Sequence, residues 1–306
     1  MSKLKNKFVY TTNLKGHVSK IQSTFGTKFQ GLKHQLDNFR PYNLGQIAIK
    51  SLTPKKGYRV KSNIAYGLKS RQRLDLYISD QSANKPLILF VHGGAWSRGD
   101  KSEYGFVGEA FTRYGYDVAI VNYHLAPEHK FPHYVDDLVL ALHFLHDHQQ
   151  ELQISTDQIA LMGHSAGAFN IASLLYHPKL YDLKIKDNIK AMVGIAGPYH
   201  FDYKGDVLAE HAFELDTPYN QVMPYYFVEH NHIRHYLLLA ENDKIVGKNN
   251  SIDLKSALLS AGNHCELMII PKTGHITIMG SVSSLFSRFF KTRSVILDAL
   301  NQSFNS

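Results

Sequence analysis

From Arg73 onward the chain alternates short runs of β-branched, aliphatic and aromatic residues with longer segments whose apolar residues recur at helical spacing. This pattern predicts strands over 74–79, 87–92, 117–123, 158–163, 191–196, 236–240 and 266–271. Helices are expected between them, over about 102–114, 133–149, 166–177, 250–261 and 282–303. Several of the strand runs, such as Leu87-Ile88-Leu89-Phe90-Val91, are apolar at every position, as strands buried on both faces must be. Alternation of this kind predicts an α/β fold, a mostly parallel central sheet with helices on both faces. Ligands of such sheets sit at the carboxyl ends of the strands. Residues 199–234 show no strand pattern and are rich in Tyr and His; they read as a short insertion over the sheet edge, acting as a small cap.

Upstream the pattern changes. Val18, Ile21, Phe25, Leu32 and Leu36 fall on one face of a helix spanning 17–38, with Lys20, Lys28 and Lys33 among its polar positions. Gly26 and Gly31 weaken that helix by about 1 kcal/mol each relative to Ala. The chain therefore divides into a basic N-terminal extension, 1–57, carrying an amphipathic helix, and a single domain, 58–306. No repeat of 20 to 50 residues interrupts it.

Charge sharpens this division. Residues 1–73 hold 12 Lys and 4 Arg against a single acid, Asp37, a balance of +15; the whole chain stands at +8, so the remainder carries −7. Attraction between the two needs no outside partner, so the arm is expected to dock on the body as part of a cap. Weak peripheral contact with an anionic membrane is the alternative. Neither zinc-finger spacing nor an aromatic ribonucleoprotein signature accompanies the basic arm, which argues against nucleic acid. The longest apolar run, 86–91, is far short of the ~20 residues of a membrane span. A lone cysteine, Cys265, cannot form an internal disulfide, and with no apolar signal stretch a cytoplasmic protein is expected.

The chemistry concentrates in four turns. Gly163-His164-Ser165-Ala166-Gly167 follows the apolar run 159–162 and precedes a helical pattern. This is G-x-S-x-G between strand and helix, the setting in which a serine hydroxyl is exposed at a strained elbow. His92-Gly93-Gly94-Ala95-Trp96 follows the 87–91 run directly. Its glycines let backbone N–H groups approach a ligand, as acyl transfer needs where an oxyanion forms. The N–H groups of Gly94, Ala95 and Ala166 are the candidate oxyanion hole, with Gly93 either joining them or shaping the turn. A nucleophilic serine also needs a base, and the base a carboxylate to fix its tautomer. His275, in the turn after 267–270, and Asp243, in the turn after 236–240, occupy carboxyl ends of predicted strands. The order Ser165, Asp243, His275 suits such a hydrolase; Glu241 is the rival carboxylate.

Two histidine groups, His143, His146 and His148, and His230, His232 and His235, lack H-E-x-x-H spacing or a Cys pair and read as solvated. With neither a dinucleotide fingerprint nor a P-loop, no cofactor and no metal are expected.

Over about residues 58–280 these motifs, with Leu74-Asp75-Leu76-Tyr77 and Asn122-Tyr123-His124-Leu125-Ala126-Pro127-Glu128, resemble the α/β-hydrolase esterases of the hormone-sensitive-lipase-like group, most of all its bacterial carboxylesterase and kynurenine-formamidase-like branch. The resemblance implies the α/β-hydrolase fold, Ser165 as nucleophile, His275 as base and Asp243 as orienter. Ala95 departs from the third glycine of many members, and His124 from their arginine, which removes a charge near Glu128. The expected activity is hydrolysis of small carboxylic esters of short acyl chain. Hydrolysis of an aryl formamide such as N-formylkynurenine is the alternative within enzymes, and a non-catalytic binding protein the alternative outside them.

Overall fold

Eight strands, β1 (Tyr58–Ala65), β2 (Arg73–Ser79), β3 (Leu87–Val91), β4 (Asp117–Val121), β5 (Ile159–His164), β6 (Ile189–Ile195), β7 (Arg234–Ala240) and β8 (Cys265–Ile270), form one sheet in the order β1-β2-β4-β3-β5-β6-β7-β8. The structure is a computed structural model describing residues 53–305 apart from 55, 82–85, 178–180 and 182. The helix expected over 17–38 lies outside the described residues. Strands β3 to β8 run parallel, while β2 pairs antiparallel with both β1 and β4.

The helices are α1 (Gly105–Thr112), α2 (His133–Asp147), α3 (Gln149–Leu152), α4 (Ala166–Leu175), α5 (Asn249–Ser260), α6 (Thr277–Gly280) and α7 (Thr292–Phe304). Strand alternation sorts the core into two layers. Leu87, Leu89 and Val91 pack with residues of α2, α4 and α5, whereas Ile88 and Phe90 pack with those of α1 and α7. All five are fully buried, each contributing about 1.5–3 kcal/mol of burial. This is the physical basis of the uninterrupted apolar runs. Among the described residues no helix is long and apolar enough to cross a membrane.

Three features depart from the pattern reading. Strand β1 has no counterpart among the expected strands, because Arg59, Lys61 and their neighbours are largely exposed at the sheet edge, where charged residues protect against further pairing. Its register shifts between Lys61 and Ile64, and there Asn63, at φ 59°, turns its N–H onto the Asp75 carboxylate at 2.7 Å. The C-terminal helix begins at Thr292, ten residues later than 282. In the serine-rich stretch before it, Ser281 and Ser283 donate side-chain hydrogen bonds to the carbonyls of Ile278 and Gly280, and Ser284 to the Glu109 carboxylate; such local bonds compete with a helix.

The third concerns the insertion between β6 and β7. It contains three short 3-10 turns, Glu210–Ala212, Tyr219–Gln221 and Pro224–Phe227, and it reaches inward from α5, to which His200 is bonded through Asn250 and Asp253. Its fully buried Phe213 packs on Trp96 and Phe169, ring centroids 5.0 and 5.6 Å away. Those rings follow β3 and β5, so the insertion covers the carboxyl ends of central strands, where apolar surface is available to bury it.

Candidate active site

Strands β3 and β5 are neighbours from which the chain departs in opposite directions, and their carboxyl ends frame the crevice where open α/β sheets bind ligands. Ser165 follows β5 at φ 54° and ψ −122°, a conformation costing a non-glycine residue on the order of 1–3 kcal/mol. The residues two positions before and after it must be glycine. A Cβ on Gly163 would collide with the Gly167 carbonyl oxygen, and one on Gly167 with that of Val91. The Ser165 N–H donates to the Ile195 carbonyl at 2.9 Å, fastening the elbow to β6. Helix α4 starts at the next residue, so its positive end lies at the serine.

The three side chains read from separate turns meet here. His275 Nε2 lies 2.9 Å from Ser165 Oγ, and His275 Nδ1 lies 2.8 Å from Asp243 Oδ2. The Asp243 carboxylate can only accept, so Nδ1 carries the proton, and Nε2 of the neutral ring is left to accept from the serine hydroxyl. The other Asp243 oxygen accepts from the N–H groups of Ile245 and Val246, both at 2.9 Å. Burial pushes the Asp243 carboxyl up, but the hydrogen bonds from His275 and those two amides outweigh it and hold the group below its ordinary value. The rival, Glu241, accepts instead from the Lys272 N–H at 2.8 Å and shapes the turn that leads to His275.

The 92–96 turn lies against the elbow through Gly93, whose added Cβ would sit 3.1 Å from that of Ser165. A Cβ on Gly93 would also stand 3.0 Å from the His164 carbonyl oxygen, so the turn can lie this close to the elbow only with glycine there. Gly94, at φ +130°, has no room for a side chain, because a Cβ there would collide with the Arg98 carbonyl. Among the described residues, no protein group accepts from the N–H of Gly94, Ala95 or Ala166. Ala95 supplies such an N–H at φ 50° without being glycine. Burial drives His92 down to about 4; it is neutral near pH 7, stacked on Tyr123 at 4.5 Å.

Two supporting residues escaped the sequence reading. Fully buried Asn170 accepts from Trp96 Nε1 at 2.9 Å and anchors the turn; its signal was an amide within the otherwise apolar helix after the elbow. Asp137 is the partner of His124, whose N–H and Nδ1 lie 2.6 and 2.7 Å from Asp137 Oδ2. The missing arginine is thus answered by an Asp on α2 rather than through Glu128. Of the histidine groups read as solvated, His146 contacts Thr156 at 2.9 Å, and His235 corrects that reading: it is fully buried, on β7, with Nε2 2.7 Å from the Tyr176 hydroxyl.

Comparison with known proteins gives matches of three kinds. The BD-FAE family matches residues 74–258. A kynurenine formamidase of Drosophila melanogaster is 30% identical over 151 residues, 49% of each chain. That of Salmo salar is 26% identical over 226 residues, 71% of this chain and 75% of the relative. A probable isoprenylcysteine alpha-carbonyl methylesterase of Arabidopsis thaliana is 32% identical over 149 residues, 46% of this chain and 31% of the relative. The chain thus spans about half, or less, of the first curated relatives it matches. Among solved structures, esterase B of Lactobacillus rhamnosis has a TM-score of 0.70 at 14% identity, covering 95% of this chain and 96% of that one. Native esterase 2 of Thermogutta terrifontis has a TM-score of 0.64 at 21% identity, covering 81% and 94%. At these identities the likeness is one of fold.

Proposed function

Since the chain belongs to the BD-FAE family of α/β-hydrolase esterases, we propose that it hydrolyses small carboxylic esters of short acyl chain through an acyl-enzyme on Ser165. The supporting observation is the hydrogen-bonded line from Ser165 Oγ through His275 to Asp243. In this reading Ser165 Oγ attacks the ester carbonyl carbon while its proton passes to His275 Nε2. The carbonyl oxygen becomes an oxyanion and receives the N–H groups of Gly94, Ala95 and Ala166. Collapse of the intermediate expels the alcohol, which takes the proton from His275. Water then attacks the acyl-enzyme, giving a proton to the same nitrogen, and as the second intermediate collapses to release the acid, His275 returns that proton to Ser165 Oγ. Asp243 keeps its charge throughout and stabilises the imidazolium.

Short acyl chains are favoured because the 199–234 insertion is small and its Phe213 is committed to packing on Trp96 and Phe169. A panel of p-nitrophenyl esters of rising chain length, measured on wild type and Ser165→Ala, tests the proposal. Turnover that peaks at about two to six acyl carbons and vanishes in the variant is expected; turnover surviving Ser165→Ala refutes it. The two kynurenine formamidases among the relatives favour a second reading, hydrolysis of an aryl formamide. Faster turnover of N-formylkynurenine than of any ester in the panel would establish it.

A further inference from the structure

Strands β5 and β8 are separated by two others, so the elbow and the His275 turn spring from points about 14 Å apart at the usual strand spacing. Something must draw the His275 turn back across the sheet. The nucleophile elbow does so with the side chain that precedes the serine. His164, the last residue of β5, is 5% exposed, and its Nε2 lies 2.9 Å from the carbonyl oxygen of His275. A carbonyl only accepts, so Nε2 carries the hydrogen. Nδ1 is then a lone pair, and it is buried with no hydrogen-bond partner among the described residues. On that edge the ring meets the 92–96 turn: a Cβ on Gly93 would stand 3.0 Å from Nδ1. One imidazole therefore touches the elbow, the base turn and the candidate oxyanion turn at once.

An unsatisfied buried acceptor costs about 1–3 kcal/mol, and a Leu or Met would fill the same space without that cost. We infer that His164 is a positioning residue that sets the reach of His275 to Ser165 by tying the base turn to the nucleophile elbow, an inference that rests on the hydrolase reading above. The charged and titratable groups facing His164 are His275, Asp243 and His92. Burial, reinforced by His275, drives the His164 imidazole down to about 3. It remains uncharged beside the imidazolium that forms on His275, whose ring centroid is 5.1 Å away. A permanently cationic donor such as lysine at this position would oppose that charge.

The test compares His164→Leu, which keeps bulk and loses the donor, with His164→Gln, whose amide nitrogen reaches the place of Nε2. Full pH profiles are recorded with a short p-nitrophenyl ester, alongside thermal melts and fluorophosphonate titration of active serine. Per titrated site, His164→Leu is expected to lose 10- to 100-fold in kcat with little change in KM, the scale of a small misplacement of a catalytic group. Its acid limb should move to lower pH, because a loosened His275–Asp243 contact favours the imidazolium less. His164→Gln should recover kcat to within about fivefold of wild type. Should Leu and Gln be equally impaired, the change fall in KM alone, or Leu retain more than half of kcat, the positioning role is overturned. If the Leu variant does not fold, the decision falls to Gln, whose kcat down by more than tenfold at an unaltered melt would equally overturn it. A wild type that neither turns over the ester nor takes the label refutes the hydrolase reading, and this inference with it.

Discussion

Two buried histidine–aspartate pairs sit at this end of the molecule with almost the same geometry. His275 Nδ1 lies 2.8 Å from Asp243, and His124 Nδ1 lies 2.7 Å from Asp137. Both carboxylates are further tied down, Asp243 by two backbone amides and Asp137 by the Gln72 amide and the His124 N–H. The difference lies at the second nitrogen. That of His275 meets Ser165 Oγ, whereas the His124 ring packs on His129 at 4.1 Å, and none of the described hydroxyls hydrogen-bonds it. A histidine held by a carboxylate is only a strut; in the mechanism proposed above, the hydroxyl placed beyond it, on a strained elbow, gives the pair a proton to move.

The largest contrast is therefore expected between Ser165→Ala or His275→Ala and His124→Gln. The first two should each lower ester kcat by at least about 10³-fold and, for Ser165→Ala, abolish fluorophosphonate labelling, because members of such a unit fail together. His124→Gln should keep kcat within about threefold. Comparable losses in both pairs would erase the distinction.

Next come the carboxylates. Asp243→Asn should cost about 10²- to 10⁴-fold in kcat by leaving His275 in the wrong tautomer, and Glu241→Gln less than about threefold. A reversal of that order would reassign the orienter. Asp137→Leu should leave the activity of the folded fraction near normal yet destabilise by about 2–4 kcal/mol in denaturant melts, since it strips partners from buried polar groups.

The smallest effect concerns pH. Buried His92, its imidazole lowered to about 4, binds fewer protons folded than unfolded between there and the ordinary value of roughly 6.5. Stability from this residue is thus fully present above that window and lost as pH falls through it, by at most ~1.4 kcal/mol per pH unit. Replacing His92 by Phe should flatten the fall in melting temperature between pH 6 and 5; an unchanged slope would assign it to other groups.

What could be read from the residues follows from where free energy leaves a mark in sequence. Strands buried on both faces leave apolar runs, and the edge strand β8, though partly exposed, is still aliphatic over Leu267–Ile270, so seven of the eight strands stood out, while β1, with Arg59 and Lys61 at the other edge, did not. Ser165, Asp243 and His275 stood out because each follows an apolar run in a turn. Asn170 and Asp137 did not, because a polar residue inside a helix looks alike whether it faces water or a buried Trp96 or His124. Residues 282–291 carried helical spacing, and only the serine hydroxyls competing for carbonyls explain why the helix waits until Thr292.

The packing of Phe213 against Trp96 and Phe169 bears on how substrate arrives. Swinging the 199–234 segment aside would strip this ring from its neighbours, and for a single phenylalanine that costs about 1.5–3 kcal/mol, which keeps the open form below about a tenth. In the hydrolase proposed above, substrate is then expected to reach Ser165 without a lid opening. Rates should rise smoothly to saturation with dissolved substrate, with neither a lag nor a jump in activity when an emulsion appears.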